Sequence, residues 1–212
     1  MHDSETRVQA VIFDMDGVLI DAREWHYKAL NQALRLFGTE ISLAEHLDKF
    51  DGLPTRVKLM QLSEEGRLPG HVHQLVNRIK QERTLRIAAQ QGKPNLQHLI
   101  LMGWLKSRGI KLGVATNSIR LTTEFMLQSA GLLDLMDCVL TNEDVERAKP
   151  NPDIYLAVAS TLGVDPSNCL VVEDSETGVA AAIQARMHVM RVGNPSEVNL
   201  GRVRKAMVEL VL

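Results

Sequence analysis

VQAVIFDMDG, residues 8–17, decides the fold of this chain. An apolar run rich in β-branched side chains predicts a central parallel strand that is buried on both faces. Two carboxylates, Asp14 and Asp16, follow at once, where packing alone would not require them. Ligands of open α/β sheets bind at the carboxyl ends of such strands, and Gly17 lets the chain turn away sharply. The segment therefore predicts a functional site, with a polar strand cap as the alternative.

The composition is typical of a globular protein and excludes several classes of partner. The 212 residues carry a formal net charge of −2, so no electrostatic feature indicates nucleic acid or an anionic membrane. Cys138 and Cys169 lie in apolar strand-like runs and are interpreted as core residues in a reducing compartment. The N-terminal MHDSETR has no apolar stretch, and no segment approaches the roughly 20 apolar residues that span a bilayer. We expect a cytoplasmic protein that binds neither nucleic acid nor membranes, as a monomer or a dimer.

Alternating strands and helices dominate the second half of the chain. Helical periodicity separates the later strands, with stops at Gly131, Gly163 and Ala185. This alternation predicts βαβ units and an α/β fold with a doubly wound, Rossmann-like parallel sheet. The predicted strands are Val8–Phe13, Ile110–Ala115, Cys138–Leu140, Cys169–Val172 and His188–Val192.

The segment between the first two strands shows helical stripes and no convincing strand. A stripe over residues 25–37 ends at Gly38, and Asp21 with Glu24 resembles a capping box at its start. Two more helices are expected around Leu59–Leu62 and Val72–Ile87. A structureless loop of this length is implausible in a compact domain, so we predict an inserted helical module over the carboxyl end of the first strand. The expected domains are a Rossmann-like core of residues 1–21 and 93–212 and an α-helical cap of residues 22–92.

Polar segments follow three other predicted strands and should meet the acidic pair at one sheet edge. They are Thr116-Asn117-Ser118, the loop with Lys149-Pro150, and Glu173-Asp174-Ser175. Helix N-termini bind anions, and carboxylates without His or Cys favour Mg²⁺. Each segment alone is typical of a helix cap or a loop. Together, an anion site, Mg²⁺ and a lysine indicate a phosphate group.

The order of these motifs resembles that of the haloacid dehalogenase superfamily of phosphotransferases. The phrases VIFDMDGVLIDA, ATNS, KPNPDIY and VVEDSETGVAAA are similar to the branch that contains phosphoglycolate phosphatase and β-phosphoglucomutase. The likeness covers the whole chain, and the inserted helices correspond to the helical cap of that branch.

The resemblance implies a phosphatase that acts on a small phosphorylated metabolite, with a sugar phosphate as the expected substrate. Asp14 would attack phosphorus and form an aspartyl-phosphate. Asp16 would protonate the leaving oxygen and then activate water as a base. Thr116 and the backbone at Asn117 would hold phosphoryl oxygens, and Lys149 would neutralise charge there.

Mg²⁺ is the cofactor that the resemblance implies. A carboxylate oxygen of Asp14, the backbone carbonyl of Asp16 and the carboxylate of Asp174 would bind it. Glu173 would support the metal, either as a ligand or through its neighbours.

Other activities of the superfamily are the first set of alternatives. Dehalogenases lack the second aspartate and phosphonatases replace it, so Asp16 counts against both. A sugar-phosphate mutase stays open, because its cap supplies a His, an Arg and a Lys for which His26, Arg56 and Lys80 are the candidate substrate-binding counterparts. Ala22 departs from the mutase pattern, in which a Thr holds the general acid.

Two further alternatives are open: one concerns the role of the cap residues, and the other concerns whether the protein is an enzyme. The three cap residues could simply be polar positions at the helix surface, with His26 at the boundary of an amphipathic helix. A non-catalytic regulatory protein on the same scaffold is the second alternative. Relatives that have lost catalytic activity usually lack the nucleophile, the acid or the metal-binding acid. All three residues are present here, which counts against a non-catalytic protein.

Overall fold

The computed structural model describes residues 8–50 and 53–210. The expectation drawn from MHDSETR concerns residues 1–7, which lie outside this range. None of the helices in the described ranges combines the length and the apolarity that a membrane span requires. Both cysteines are free and buried, which confirms their interpretation as core residues.

A five-stranded parallel sheet confirms the predicted α/β architecture, with the strand order β3-β2-β1-β4-β5. The first strand lies at the centre, and its four residues are all buried. Its register pairs Phe13 with Val114 on one side and Val172 on the other. The residues that follow these three strands therefore share one sheet edge. The strands are β1 (Ala10–Phe13), β2 (Lys111–Ala115), β3 (Cys138–Leu140), β4 (Cys169–Glu173) and β5 (His188–Arg191).

Helices connect the strands and fill the inserted segment. The α-helices are α1 (Arg23–Leu34), α2 (Leu43–Glu45), α3 (Thr55–Glu64), α4 (His73–Gln91), α5 (Leu96–Ser107), α6 (Arg120–Ser129), α7 (Asp153–Leu162), α8 (Glu176–Gln184) and α9 (Leu200–Glu209). Single 3₁₀ turns span Arg35–Phe37, Gly70–Val72, Leu133–Leu135, Pro166–Asn168 and Pro195–Glu197, and a π turn spans His46–Phe50. Helices α5 and α9 have no counterpart among the predicted elements.

The chain forms two compact units. One comprises the chain up to Asp21 and from Gly92 onward, and the other comprises Ala22–Gln91. In the first unit, α7 packs on β1, β2 and β3, and α8 packs on β4 and β5. In the second unit, α1 and α4 pack against each other over a core that includes Leu34, Phe50 and Leu62. That the second unit acts as a cap stays a prediction.

The start of α1 corrects one prediction. Ala22, not Asp21, is the N-cap residue, and no side chain caps the helix. The Ala22 backbone is already in the right-handed helical region, with φ −95° and ψ −2°, whereas side-chain caps use an extended N-cap. Glu24 instead pairs with Lys28 one turn later, with 2.7 Å between their charged atoms. The predicted stop is confirmed, because Gly38 closes the following 3₁₀ turn with φ +74°.

Candidate active site

The acidic pair lies directly after β1. The N–H of Asp14 donates to the carbonyl of Val172 at 3.0 Å, which fixes Asp14 beside β4, and the residue is 8% exposed. Asp16 is half-buried, and the Ser118 hydroxyl donates to its Oδ2 at 2.7 Å. Gly17 adopts φ +87°, a region that glycine enters without penalty. The turn therefore sends the chain away from the edge and leaves the two carboxylates in different surroundings.

Lys149 is held by three acceptors that lie after three different strands or at their ends. Its Nζ donates to Asp14 Oδ1 at 2.7 Å, to the Ala115 carbonyl at 2.9 Å and to Glu173 Oε1 at 2.7 Å. An ammonium group has three N–H donors, so these contacts use all of them. The same Nζ lies 4.8 Å from the centre of the Tyr155 ring. Lys149 thus has one defined position, against the carboxylate of the candidate nucleophile.

Glu173 is fully buried and saturated with hydrogen bonds. Its Oε1 accepts from Lys149 and from the Tyr155 hydroxyl, the latter at 2.9 Å. Its Oε2 accepts from the N–H of Asp174 and from both the N–H and the hydroxyl of Ser175, at 2.9 to 3.0 Å. Five donors leave little lone-pair capacity for a metal ion. Of the two roles left open for Glu173, the geometry favours support of the metal site through its neighbours over direct ligation, and this role stays a prediction.

One ammonium group faces two buried carboxylates, and their pKa values differ accordingly. Burial works to raise the pKa of Glu173, but Lys149 and the other donors outweigh it and hold that pKa below its usual value. Burial raises the pKa of the Asp14 carboxyl well above its usual value, with Lys149 opposing the rise. Burial works to lower the pKa of Lys149, but Asp14 and the other nearby groups hold it well above its usual range. Lys149 therefore favours the ionised form of Glu173, whereas burial opposes ionisation of Asp14, which a second cation beside it would favour.

Asp14 and Asp174 are the residues that could hold that cation. Asp14, Glu173 and Asp174 each offer a carboxylate oxygen, and the three atoms lie within 4.8 Å of one another. Hard oxygen donors of this kind suit Mg²⁺. Three carboxylates against one ammonium also leave an excess of negative charge for a divalent ion to balance. The donor set fits Mg²⁺, with Glu173 as a neighbour rather than a ligand.

Thr116 and Asn117 follow β2 at the same edge. Thr116 is buried, and its hydroxyl oxygen accepts from the N–H of Ser118 at 3.1 Å. Asn117 is exposed, and its side-chain oxygen accepts from the N–H of Lys149 at 3.2 Å. These contacts tie the loop after β2 to the loop that carries Lys149. The roles of Thr116 and Asn117 in binding a phosphoryl group stay predictions.

The helix expected after Asn117-Ser118 is confirmed, but none of Thr116, Asn117 and Ser118 is its N-cap residue. Helix α6 starts at Arg120, and its N-cap residue is Ile119. The N–H of Arg120 donates to Glu143 at 2.6 Å, so this helix terminus already has an internal acceptor. By contrast, Ser175 caps α8 as expected, with its hydroxyl accepting from the N–H of Gly178 at 3.0 Å.

The predicted substrate-binding residues of the helical segment lie in the second unit. The Lys80 Nζ lies 3.2 Å from Nδ1 of His26, so α1 and α4 bring these two side chains together. Arg56 is exposed, near the start of α3. Their contact with a substrate stays a prediction.

Sequence reasoning missed two side chains that contact the acidic cluster. Tyr155 reaches Glu173, and Ser118 reaches Asp16. A weak signal existed for Tyr155, because it lies next to Ile154 at the start of an apolar helix, and a buried tyrosine hydroxyl needs a polar partner. Ser118 belongs to the Thr116-Asn117-Ser118 segment, whose pattern indicates a helix start and gives no sign of a contact with Asp16.

Comparison with known proteins agrees with this geometry. A model of the haloacid dehalogenase-like hydrolase family matches residues 11–192. The chain is 31% identical over 178 residues to a phosphorylated carbohydrates phosphatase of Thermotoga maritima, covering 84% of this chain and 82% of the relative. It is 28% identical over 202 residues to β-phosphoglucomutase of Bacillus subtilis, covering 88% and 84%. A family IA, variant 3 hydrolase structure from Entamoeba histolytica has the same fold, with a TM-score of 0.81, 22% identity and 96% and 99% coverage.

The family match spans most of the chain and includes the strand ends that carry Asp14, Lys149 and Asp174. The chain belongs to the haloacid dehalogenase-like hydrolase family, which confirms the resemblance found in its motifs.

Proposed function

We propose that this haloacid dehalogenase-type phosphatase hydrolyses a small phosphorylated metabolite, a sugar phosphate, in a Mg²⁺-dependent reaction through an aspartyl-phosphate on Asp14. The observation that carries the proposal is the contact between Lys149 Nζ and Asp14 Oδ1, at 2.7 Å inside a buried cluster of carboxylates. A solitary acidic cap on a strand would not need an ammonium group with all three donors engaged. The similarity to a phosphorylated carbohydrates phosphatase supports the class of substrate.

The proposed reaction has two steps that this chain's own groups perform. A carboxylate oxygen of Asp14 forms a bond to phosphorus while the bond to the leaving oxygen breaks, and Asp16 donates the proton that the leaving oxygen takes up. Water then attacks the aspartyl-phosphate, Asp16 takes a proton from that water, and inorganic phosphate and the Asp14 carboxylate are released. Ser118 keeps Asp16 oriented between the steps.

Electrostatic stabilisation must supply most of the rate. Phosphate-monoester hydrolysis can require acceleration of up to about 10²¹-fold, or roughly 29 kcal/mol. A positioned acid or base supplies only about 10²–10⁴-fold. Lys149 balances charge at Asp14, and the Thr116 hydroxyl and the backbone N–H of Asn117 are the proposed donors to the phosphoryl oxygens. Bound Mg²⁺, held by Asp14, the Asp16 carbonyl and Asp174, would supply Lewis-acid stabilisation of the phosphoryl charge.

A chromogenic phosphomonoester tests this function directly. The wild-type protein should release the chromophore with Mg²⁺ and stop when EDTA is added. Asp14→Asn should abolish turnover and keep the circular dichroism spectrum of the wild type, because the amide is isosteric but not nucleophilic. Turnover by Asp14→Asn near the wild-type rate would refute the mechanism. A panel of sugar phosphates then identifies the substrate.

A sugar-phosphate mutase is the second candidate, favoured by the 3.2 Å approach of Lys80 to His26. The Ser118 hydroxyl donates to Asp16, a contact to the general acid that Ala22 cannot make. The lack of a Thr at position 22 is therefore a weak argument against a mutase. Hydrolysis is the first choice because its nucleophile, acid–base residue, lysine and metal ligands all lie in one compact unit. Incubation with a hexose 1-phosphate and its bisphosphate separates the two: a mutase yields the isomeric phosphate, and a phosphatase yields inorganic phosphate.

A further inference from the structure

Tyr155 is a polar side chain in an otherwise apolar position. It lies on α7, is fully buried, and packs within the hydrophobic core of the first unit. Its hydroxyl donates to Glu173 Oε1 at 2.9 Å, the oxygen that also accepts from Lys149. Its ring lies against the same ammonium group, 4.8 Å away. Two parts of one side chain therefore contact the two charged groups that lie behind Asp14.

Gly178 provides the space that Glu173 occupies. A β-carbon at Gly178 would lie 1.6 Å from Glu173 Oε1 and 1.9 Å from Cδ. Any larger residue would therefore push the carboxylate out of its place or displace α8. The hydroxyl of Tyr155 donates to this carboxylate, and the absence of a side chain at Gly178 leaves the space that the carboxylate fills.

We propose that Tyr155 is a positioning residue, which holds the Glu173 carboxylate against Gly178 and so directs Lys149 toward Asp14. The inference rests on the proposed function for its kinetic consequence. Tyr155 itself touches no reacting atom in this scheme. Without its hydroxyl, Oε1 of Glu173 keeps only Lys149 as a donor, so this oxygen and the ammonium group bound to it can shift while Oε2 stays on Asp174 and Ser175.

Tyr155→Phe tests the inference, because it removes one oxygen and keeps the ring. We expect kcat for a chromogenic phosphomonoester to fall about 10-fold or more, as for other changes one contact removed from a catalytic group. KM should stay unchanged, because the lost interaction acts on the chemical step rather than on binding. A crystal structure of the variant should show Lys149 Nζ displaced from at least one of its three acceptors.

Tyr27→Phe is the matched control. The Tyr27 hydroxyl donates to the backbone carbonyl of Ile41 at 3.1 Å, so this variant also loses one tyrosine hydrogen bond, within the second compact unit. Its kcat should equal that of the wild type. A second pair tests the space beside Glu173: Gly178→Ala should lower kcat roughly 10- to 100-fold, whereas Gly103→Ala, where nothing lies within 4 Å of the added carbon, should not.

The outcomes separate this inference from the proposed function. Wild-type kcat in Tyr155→Phe, or a crystal structure of that variant with Lys149 still on all three acceptors, overturns the positioning role and leaves the phosphatase intact. A wild-type protein with no phosphomonoesterase activity overturns the proposed function. The crystal structure of Tyr155→Phe then decides the positioning role on its own.

Discussion

Replacement of Lys149 by methionine has the largest consequence for this site. The change keeps an unbranched side chain and removes an ammonium group whose donors reach Asp14 and Glu173 at 2.7 Å each. Removing one partner of a buried ion pair costs about 3–5 kcal/mol, because the remaining charge is left uncompensated. We expect the free energy of unfolding to fall by that amount near neutral pH, and kcat to fall by roughly 10²–10³-fold.

The pH dependence of this loss follows from Glu173. Lys149 holds the pKa of Glu173 below its ordinary value of 4.5 in the folded protein. The ion pair therefore stabilises the fold above about that pH, and the stabilisation is lost as the pH falls through the lowered pKa. The difference between the wild type and Lys149→Met should be largest near neutral pH and should shrink in acid.

Urea unfolding at two pH values measures both effects. Lys106→Met is the control, because Lys106 pairs with Asp137 at 3.3 Å on the surface, and such pairs contribute at most about 1 kcal/mol. The double variant Lys149→Met with Glu173→Gln should be more stable than Lys149→Met alone, because the amide carries no charge. A loss for Lys149→Met no larger than that for Lys106→Met would refute the reasoning.

Three smaller perturbations test other parts of the account. Ser118→Ala should lower kcat about 10-fold, the smaller end of what a hydrogen bond to a charged group supplies; steady-state kinetics equal to the wild type would contradict the role of Ser118 on Asp16. Asp14→Asn should raise the melting temperature of the metal-free protein near neutral pH, because burial raises the pKa of the Asp14 carboxyl and disfavours its ionised form. This increase in melting temperature should vanish in acid. Scanning calorimetry that finds a lower melting temperature for Asp14→Asn near neutral pH would contradict the prediction. Burial raises the pKa of the Cys169 thiol to about 11, so Cys169 should react with a thiol reagent at about pH 8 only after denaturant is added. Prompt reaction of Cys169 in the folded protein would contradict its place in the core.

The strands and the motifs could be predicted because their causes are local. Strand β1 is buried on both faces and therefore reads as an unbroken apolar run. Once a parallel sheet is assumed, the carboxyl ends of its strands must meet, which places Asp14, Lys149 and Asp174 together. Topology thus turns a linear order of motifs into a cluster.

The rest could not be predicted because it depends on packing between distant segments. Helix α5 carries exposed Leu96 and Ile100 beside buried Leu101 and Met102, which blurs its periodicity. Helix α9 is an exception, because its buried Val203 and Met207 lie four residues apart and form an apolar stripe that the sequence pattern could have revealed.

The side-chain contacts around Glu173 could not be predicted for a related reason. The five donors around Glu173 come from the loop before α8, from α7 and from Lys149. No spacing within one segment reveals that they converge on one carboxylate. The capping box at Asp21 failed because the chain at Ala22 is already helical.

Trapping the covalent intermediate tests the central claim most directly. The enzyme, mixed with Mg²⁺ and a chromogenic phosphomonoester, is quenched rapidly in acid, digested and mapped by mass spectrometry. We predict one phosphoryl group on the peptide that carries Asp14, labile to hydroxylamine and absent from Asp14→Asn. Turnover without a phosphorylated peptide, or with the phosphoryl group on another residue, would contradict the assignment of Asp14 as the nucleophile.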